Sequence, residues 1–247
     1  MNKSVIIQAR YGSTRLPGKV LKPIGAYSVL EHVIRRCQKI FDVDVICCTI
    51  PDSFENNIVA DLAESLGSIV HRGSEQDVLS RYTEAAKMIS ADIVMRVTSD
   101  CPVIDYKICE KLIEILEKTG SDYVSNNFPP SFPHGLDCEV FTIESLLKAN
   151  EYASNIFDRE HVTPWIRSSD LIKKENFFNK DNNITNLRWT LDYKEDLEFF
   201  QELDRHLPLL PDIPDYKKIL IAINKHPELL EINCHHTDKS RLNITNI

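Results

Sequence analysis

The chain has 247 residues, 37 acidic against 29 basic side chains, and a formal net charge of −8. That length suits one large domain, or one domain with an insertion, and is enough to bury a sizeable core. The acidic balance excludes general binding to nucleic acid or to anionic membrane surfaces, and no apolar run approaches the length of a membrane span.

The β-branched run Val5-Ile6-Ile7 reads as a buried strand. It is not read as a signal peptide, because no small-residue cleavage site follows a long apolar core. The strand runs through Gln8-Ala9-Arg10 into Tyr11-Gly12-Ser13-Thr14-Arg15-Leu16-Pro17-Gly18-Lys19. Backbone N–H groups beside the cations Arg10, Arg15 and Lys19 suit a polyphosphate. A basic surface turn is the plainer alternative. The loop is not a Walker A loop: five residues separate Gly12 from Gly18, Val20 follows Lys19, and Pro17 lacks an N–H. Nor does it have the three-glycine Rossmann spacing.

From there strands and helices alternate. Segments 43–50, 93–98 and 123–125 are rich in strand formers, and a short strand precedes His71. Val29, Leu30, Val33, Ile34, Cys37 and Ile40 recur at helical spacing, opened by a Ser28/Glu31 capping box. Apolar faces over 58–66, 78–86 and 108–116 predict three more helices, the first and last closed by Gly67 and Gly120. This alternation predicts an α/β fold with a mostly parallel sheet flanked by helices, whose ligands sit at the carboxyl ends of the strands. Residues 1–127 form the nucleotide-binding core. Three prolines within 129–133 break the pattern and open an inserted acceptor or dimerisation subdomain over 128–186. It is expected to hold a strand at 139–142 and helices from about 144 and 158. A strand at 187–191 and helices over 194–207 and 216–226 follow, and residues 233–247 read as a loose polar tail in which His235 and His236 are solvated.

Two carboxylates fall at strand ends. Asp100 closes the 93–98 strand and is placed to hold magnesium, although aspartate is also a favoured turn residue. Asp105 is expected to cap the next helix. Asp192 closes the 187–191 strand and is either a second magnesium ligand or the N-cap of the following helix, with Glu195 as its box partner. The polar run His71-Arg72-Gly73-Ser74-Glu75-Gln76-Asp77 either lines a nucleotide base or is an ordinary acidic helix N-terminus. His134 to Glu139 and Asp158 to Thr163 lie in the insertion, where an acceptor would be recognised; their histidines are as readily structural. The seven cysteines are scattered with no C-x-x-C pair, so neither a zinc ribbon nor a redox dithiol is indicated, and their usage fits a reducing cytoplasm.

Taken together, Ile7-Gln8-Ala9-Arg10 through Leu16-Pro17-Gly18-Lys19-Val20-Leu21, Arg72-Gly73-Ser74, Asp77-Val78-Leu79, Thr98-Ser99-Asp100-Cys101-Pro102, His134-Gly135-Leu136-Asp137, Arg159-Glu160-His161-Val162-Thr163-Pro164 and Leu187-Arg188-Trp189-Thr190-Leu191-Asp192 with Glu195-Asp196-Leu197 resemble the cytidylyltransferases that activate acidic sugars. The likeness runs in order over about 4–200. It is closest to the branch of spore coat polysaccharide biosynthesis protein F, since Gln8 stands where the two best-known branches have proline. The resemblance implies a Rossmann-like nucleotide-diphospho-sugar transferase fold with an inserted dimerisation arm, and a cytoplasmic homodimer. It implies that CTP and a small sugar acceptor are the partners and that Mg2+, held by Asp100 and Asp192, is the cofactor. Nucleotide-binding positions are then Gln8, Ala9, Arg10, Gly12, Ser13, Arg15, Lys19, Arg72, Ser74, Asp77 and Asp100, of which Arg15, Lys19 and Asp100 act in catalysis. Acceptor-binding positions are His134, Asp137, Glu139, Arg159 and His161. Two rival functions keep the fold: a glycosyltransferase, disfavoured because Asp100-Cys101-Pro102 lacks the second aspartate of an Asp-x-Asp motif, and a non-catalytic nucleotide-binding subunit.

Overall fold

Residues 1–181 and 184–236 are described by a computed structural model. Strand β1 (Lys3–Gln8) lies mid-sheet between β4 (Val45–Pro51) and β6 (Ile93–Thr98), parallel to both. Beyond β4 comes β5 (Ile69–Gly73); beyond β6 come β8 (Glu139–Thr142), β7 (Tyr123–Ser125) and β9 (Lys174–Asn176). Only β8 runs against its neighbours in this seven-stranded sheet. A small hairpin, β2 (Pro23–Ile24) with β3 (Tyr27–Ser28), stands apart.

The alternation of strand side chains divides the core in two. Val5 and Ile7 face helices α1 (Val29–Cys37), α2 (Asn57–Ser65), α4 (Tyr106–Thr119), α8 (Lys194–His206) and α9 (Tyr216–Lys225). Ile6 and Val94 face the other way, onto α3 (Val78–Met88), α5 (Ile143–Tyr152) and α7 (Pro164–Ser168), with α6 (Ile156–His161) beside them. The helices start and stop as their caps dictate. Ser28, Asp77 and Asp105 each accept from a backbone N–H of the first turn, and Gly120, in the left-handed region, ends α4. A last short helix, α10 (Leu229–Asn233), packs on α8.

The chain leaves β1 toward β4 and returns on its other side as β6. That reversal opens a crevice at the carboxyl ends of β1 and β6, where open α/β sheets bind ligands.

Three expectations change. Segment 187–191 is extended but forms no ladder. It meets the 134–136 turn through a single bridge at Arg188, and Leu191 N–H donates to the Asp100 carbonyl at 2.8 Å. It touches two loops one residue at a time, so no strand neighbour runs alongside it. Residues 128–186 do not stand apart as a subdomain, because β8 sits between β6 and β7 in the central sheet. And His236 is not solvated: its ring stacks on Tyr193 at 3.8 Å and 2°. The rest of the expected tail, 237–247, lies outside the described residues.

Candidate active site

Gly18 sits at φ +64°, with the Tyr11 ring against its Cα face, and its N–H donates to the Tyr11 carbonyl. That closes the 11–18 loop on itself. Asn56 pins the loop's other side by accepting from Tyr11 N–H at 2.8 Å. Lys19, opening a 3-10 turn, is thereby aimed across the crevice.

Its ammonium reaches Asp192 Oδ1 at 2.9 Å, the Leu191 carbonyl at 2.9 Å and Asp100 Oδ2 at 3.3 Å. Arg15 binds the same Asp192 oxygen at 2.9 Å and donates to the Tyr193 hydroxyl at 3.4 Å. Burial opposes ionisation of Asp100, but Lys19 and the Thr98 hydroxyl, 2.5 Å from Oδ1, outweigh it and hold its carboxyl well below the usual range. Burial likewise works against the Lys19 ammonium and is outweighed by the two aspartates, so Lys19 stays charged. A cavity of about 180 Å³ lies over these groups, lined by Gln8, Ala9, Arg10, Ser13, Thr14, Arg15, Lys19, Thr98, Ser99, Asp100 and Asp192.

Asp192 is free to serve here because it is not the cap of α8. Tyr193 is the N-cap, and Asp196, three residues on, completes the capping box. Asp196 is fully buried. It accepts from the N–H groups of Asp192 and Tyr193 and forms a two-bond fork with Arg188, both bonds 2.7 Å. Asn233 of α10 closes the same network on Asp196 at 3.0 Å. Arg188, Tyr193 and Asp196 are site residues to which the sequence reading gave no role of their own; their signal was a cation eight positions before an acid, flanking the metal-ligand candidate.

Two carboxylates converging on one ammonium can converge on one divalent cation. Carboxylates joined by phosphate oxygens are the hard donors magnesium takes, so Asp100 and Asp192 fit that ion.

A second cavity of about 580 Å³ adjoins the first and shares Gln8 and Arg10 with it. Glu75, Gln76, Val78 and Arg81 line one wall, Ile156, Glu160 and His161 of α6 another, and Arg96 of β6 lines it from the sheet. Several expected residues lie elsewhere. Arg72 is exposed on β5, and Gly12 rests against Glu55. Ser74 accepts from Asp77 N–H, and Asp77 caps α3 while Arg159 forks onto it at 2.6 and 2.9 Å. These three therefore hold the β5–α3 loop to α6. Glu139, expected to meet the acceptor, is 1% exposed and fully engaged by Tyr123, Arg96 and Arg167. It organises cations instead. His134 Nε2 lies 3.9 Å from the Asp137 carboxylate, and Gly135 N–H donates to the same carboxylate. Gly135, at φ +108°, passes so near the Trp189 carbonyl that a Cβ would stand 2.1 Å from the oxygen. His161 keeps its place on the cleft wall.

A cationic loop at the switch point of a parallel sheet, facing paired carboxylates, defines a nucleotide-binding α/β enzyme. Residues 4–220 match the cytidylyltransferase family, and the chain belongs to it. It is 35% identical over 237 residues to an uncharacterised protein of Methanocaldococcus jannaschii, covering 95% of this chain and 96% of that protein. It is 30% identical to the spore coat polysaccharide biosynthesis protein SpsF of Bacillus subtilis, covering 90% and 94%. The solved structure of a cytidylyltransferase from Leptospira borgpetersenii superposes with a TM-score of 0.87 at 30% identity, covering 93% of this chain and 97% of that one. The chain is thus a CTP-dependent nucleotidyltransferase.

Proposed function

We propose that the chain transfers CMP from CTP to a hydroxyl of an acidic sugar, with magnesium bound and pyrophosphate released, in the synthesis of a surface polysaccharide. The observation that carries this reading is the convergence of Lys19 and Arg15 on Asp100 and Asp192 beneath the 11–18 loop.

The acceptor hydroxyl oxygen forms a bond to the α-phosphorus and releases its proton to solvent as the bond from that phosphorus to the bridging oxygen of pyrophosphate breaks. Arg10, Arg15, Lys19 and the loop N–H groups bind the triphosphate and fix its line of attack, so catalysis is positioning plus electrostatics. Magnesium held by Asp100 and Asp192 supplies charge neutralisation at the reacting phosphates. Lys19 pairs with both aspartates and Arg15 with Asp192, so the cations that would meet the triphosphate and the carboxylates that would hold magnesium are held together. The nucleoside takes the Gln8 end of the crevice, and the acceptor enters from the 580 Å³ cleft.

A second copy of the chain is the proposed partner, seated on the apolar surface of α5 and α6. No helix among the described residues is long and apolar enough to cross a membrane. Six of the seven cysteines are buried as free thiols, which suits a reducing cytoplasm, where CTP is made.

Pyrophosphate release and thermal shift, measured with CTP, UTP, ATP and GTP with and without magnesium, test the reading. CTP with magnesium is expected to raise the melting temperature and, with an acidic sugar, to yield pyrophosphate. Stabilisation by UDP-sugars without pyrophosphate would replace it with the glycosyltransferase reading.

A further inference from the structure

Three arginines, Arg10, Arg81 and Arg96, line the 580 Å³ cleft against two acids, Glu75 and Glu160, both exposed. Arg81 reaches it from α3 and is 1% exposed. One of its terminal nitrogens donates to the Ser74 carbonyl, its Nε has no partner, and no carboxylate among the described residues pairs with it. The acid that acts on it, Glu75, is half exposed and pairs with Arg10 at the rim. Arg96 comes from β6. Its Nη1 donates to Glu139 at 2.8 Å and its Nε is also without a partner. Glu139 is shared with Arg167 at 2.6 Å, so two guanidiniums have one buried carboxylate between them. The side-chain oxygen of Gln8, at the boundary with the phosphate cavity, is a further buried polar atom without a partner.

A buried cation lacking a paired carboxylate, as Arg81 is, costs several kcal/mol, and an unpaired guanidinium N–H adds to that. Arg81 from a helix and Arg96 from a strand line one ligand-sized cavity, and each has a terminal nitrogen beyond the one already bonded that an anion there can meet. Phosphates are already provided for by the 11–18 loop on the other side of Gln8. We propose that Arg81 and Arg96 form the subsite that takes the carboxylate of the acceptor. The inference rests on the reading that the acceptor is an acidic sugar, and adds the residues that select it. Arg81 does double duty: by holding the Ser74 carbonyl it also fixes the β5–α3 loop at the cleft wall. Glu139 and Arg167 are positioning residues that hold the Arg96 guanidinium in place.

The test uses the full chain with CTP and magnesium, probed with 3-deoxy-manno-octulosonate, N-acetylneuraminate and glucuronate, and with neutral mannose and N-acetylmannosamine as controls. At least one acid is expected to raise the melting temperature beyond the shift from CTP, and the neutral sugars are not. In Arg96→Gln and Arg81→Gln the Kd of that acid rises roughly 10- to 100-fold, the loss of a hydrogen bond to a charged group, while the CTP shift is retained. Arg96→Lys recovers part of the loss. Should Arg81→Gln fail to melt cooperatively, the Arg96 pair decides, because Glu139 keeps Arg167 as its partner. Equal acid affinity in wild type and Arg96→Gln overturns the proposal. So does a neutral sugar binding as well as the acids, or no acid of the panel binding while CTP does. Failure of CTP itself to bind strikes at the transfer reaction instead.

Discussion

At the scale of single residues, Asp100 has the most to reveal. Its carboxylate faces Lys19, is held by Thr98, and has its backbone carbonyl tied to Leu191, so removing the charge leaves the main chain anchored. Asp100→Asn is expected to lower kcat roughly 100- to 1,000-fold, the usual loss when one preorganised electrostatic contact to a transition state is removed. Its circular dichroism should match wild type; near-normal turnover would remove Asp100 from the metal site. His32 offers a pH test unrelated to catalysis. Its ring is buried, with Nε2 against the Ile24 carbonyl, and burial, reinforced by nearby Arg36, lowers its pKa to about 4. Above about pH 6.5 the ring is neutral in folded and unfolded chains alike. Between there and about pH 4 the unfolded chain takes up a proton that the folded chain does not, so stability falls with pH across that window. In His32→Gln the stability difference between pH 7 and pH 4.5, from denaturant melts, should shrink by about 2 to 3 kcal/mol.

At the scale of elements, the core strands and long helices were legible because their apolar periods are set by local geometry. Strands 93–98, 123–125 and 139–142 appear at the expected residues, and the caps at Ser28 and Asp105 do too. Segment 187–191 misled because its apolar residues Leu187, Trp189 and Leu191 alternate as strand residues do, yet its backbone bonds to two loops from distant parts of the chain while Trp189 and Leu191 join the main core. The same long-range context decides the role of Asp192. Locally, Asp192 with Glu195 is a better capping box than Tyr193 with Asp196, since tyrosine is not a favoured N-cap residue. What selects the latter is Arg188, whose buried guanidinium needs the Asp196 carboxylate, with Asn233 completing the cluster. Asp196→Asn strips the charge from that fork and leaves Arg188 buried with only the more exposed Asp192 at 3.6 Å. The loss is expected to be about 3 to 5 kcal/mol, the range for breaking a buried ion pair from one side. Because Asp196 also holds the Asp192 N–H, kcat should fall further than stability alone explains at a temperature where the variant is folded. A stable Asp196→Asn with unchanged kcat would mean that Asp192 is aimed by something else.

At the scale of the whole molecule, the placement of β8 explains why the segment after 128 belongs to the active site although its helices lie over one face of the sheet. Pairing β8 beside β6 brings Glu139 opposite Arg96, and carries α5 to α7 over the cleft. That arrangement leaves apolar side chains uncovered on the outer surface: Ile156 is 83% exposed, Phe157 62% and Tyr152 54%. Exposed apolar residues gathered on adjoining helices are the kind of surface that the proposed second copy would cover. Ile156 also lines the cleft, so a second copy seated there would wall the acceptor side of the site without touching the phosphate loop. Light scattering of wild type should therefore report twice the 28.4 kDa chain mass at micromolar concentration. Phe157→Asp, which places an unpaired charge at the contact and does not line the cleft, should shift the mass to that of one chain. If the dimer walls the acceptor cleft, the same variant should raise KM for the acceptor more than KM for CTP. A wild-type monomer would leave the apolar surface of α6 to some other partner, and a monomeric Phe157→Asp with unchanged acceptor KM would separate assembly from the site.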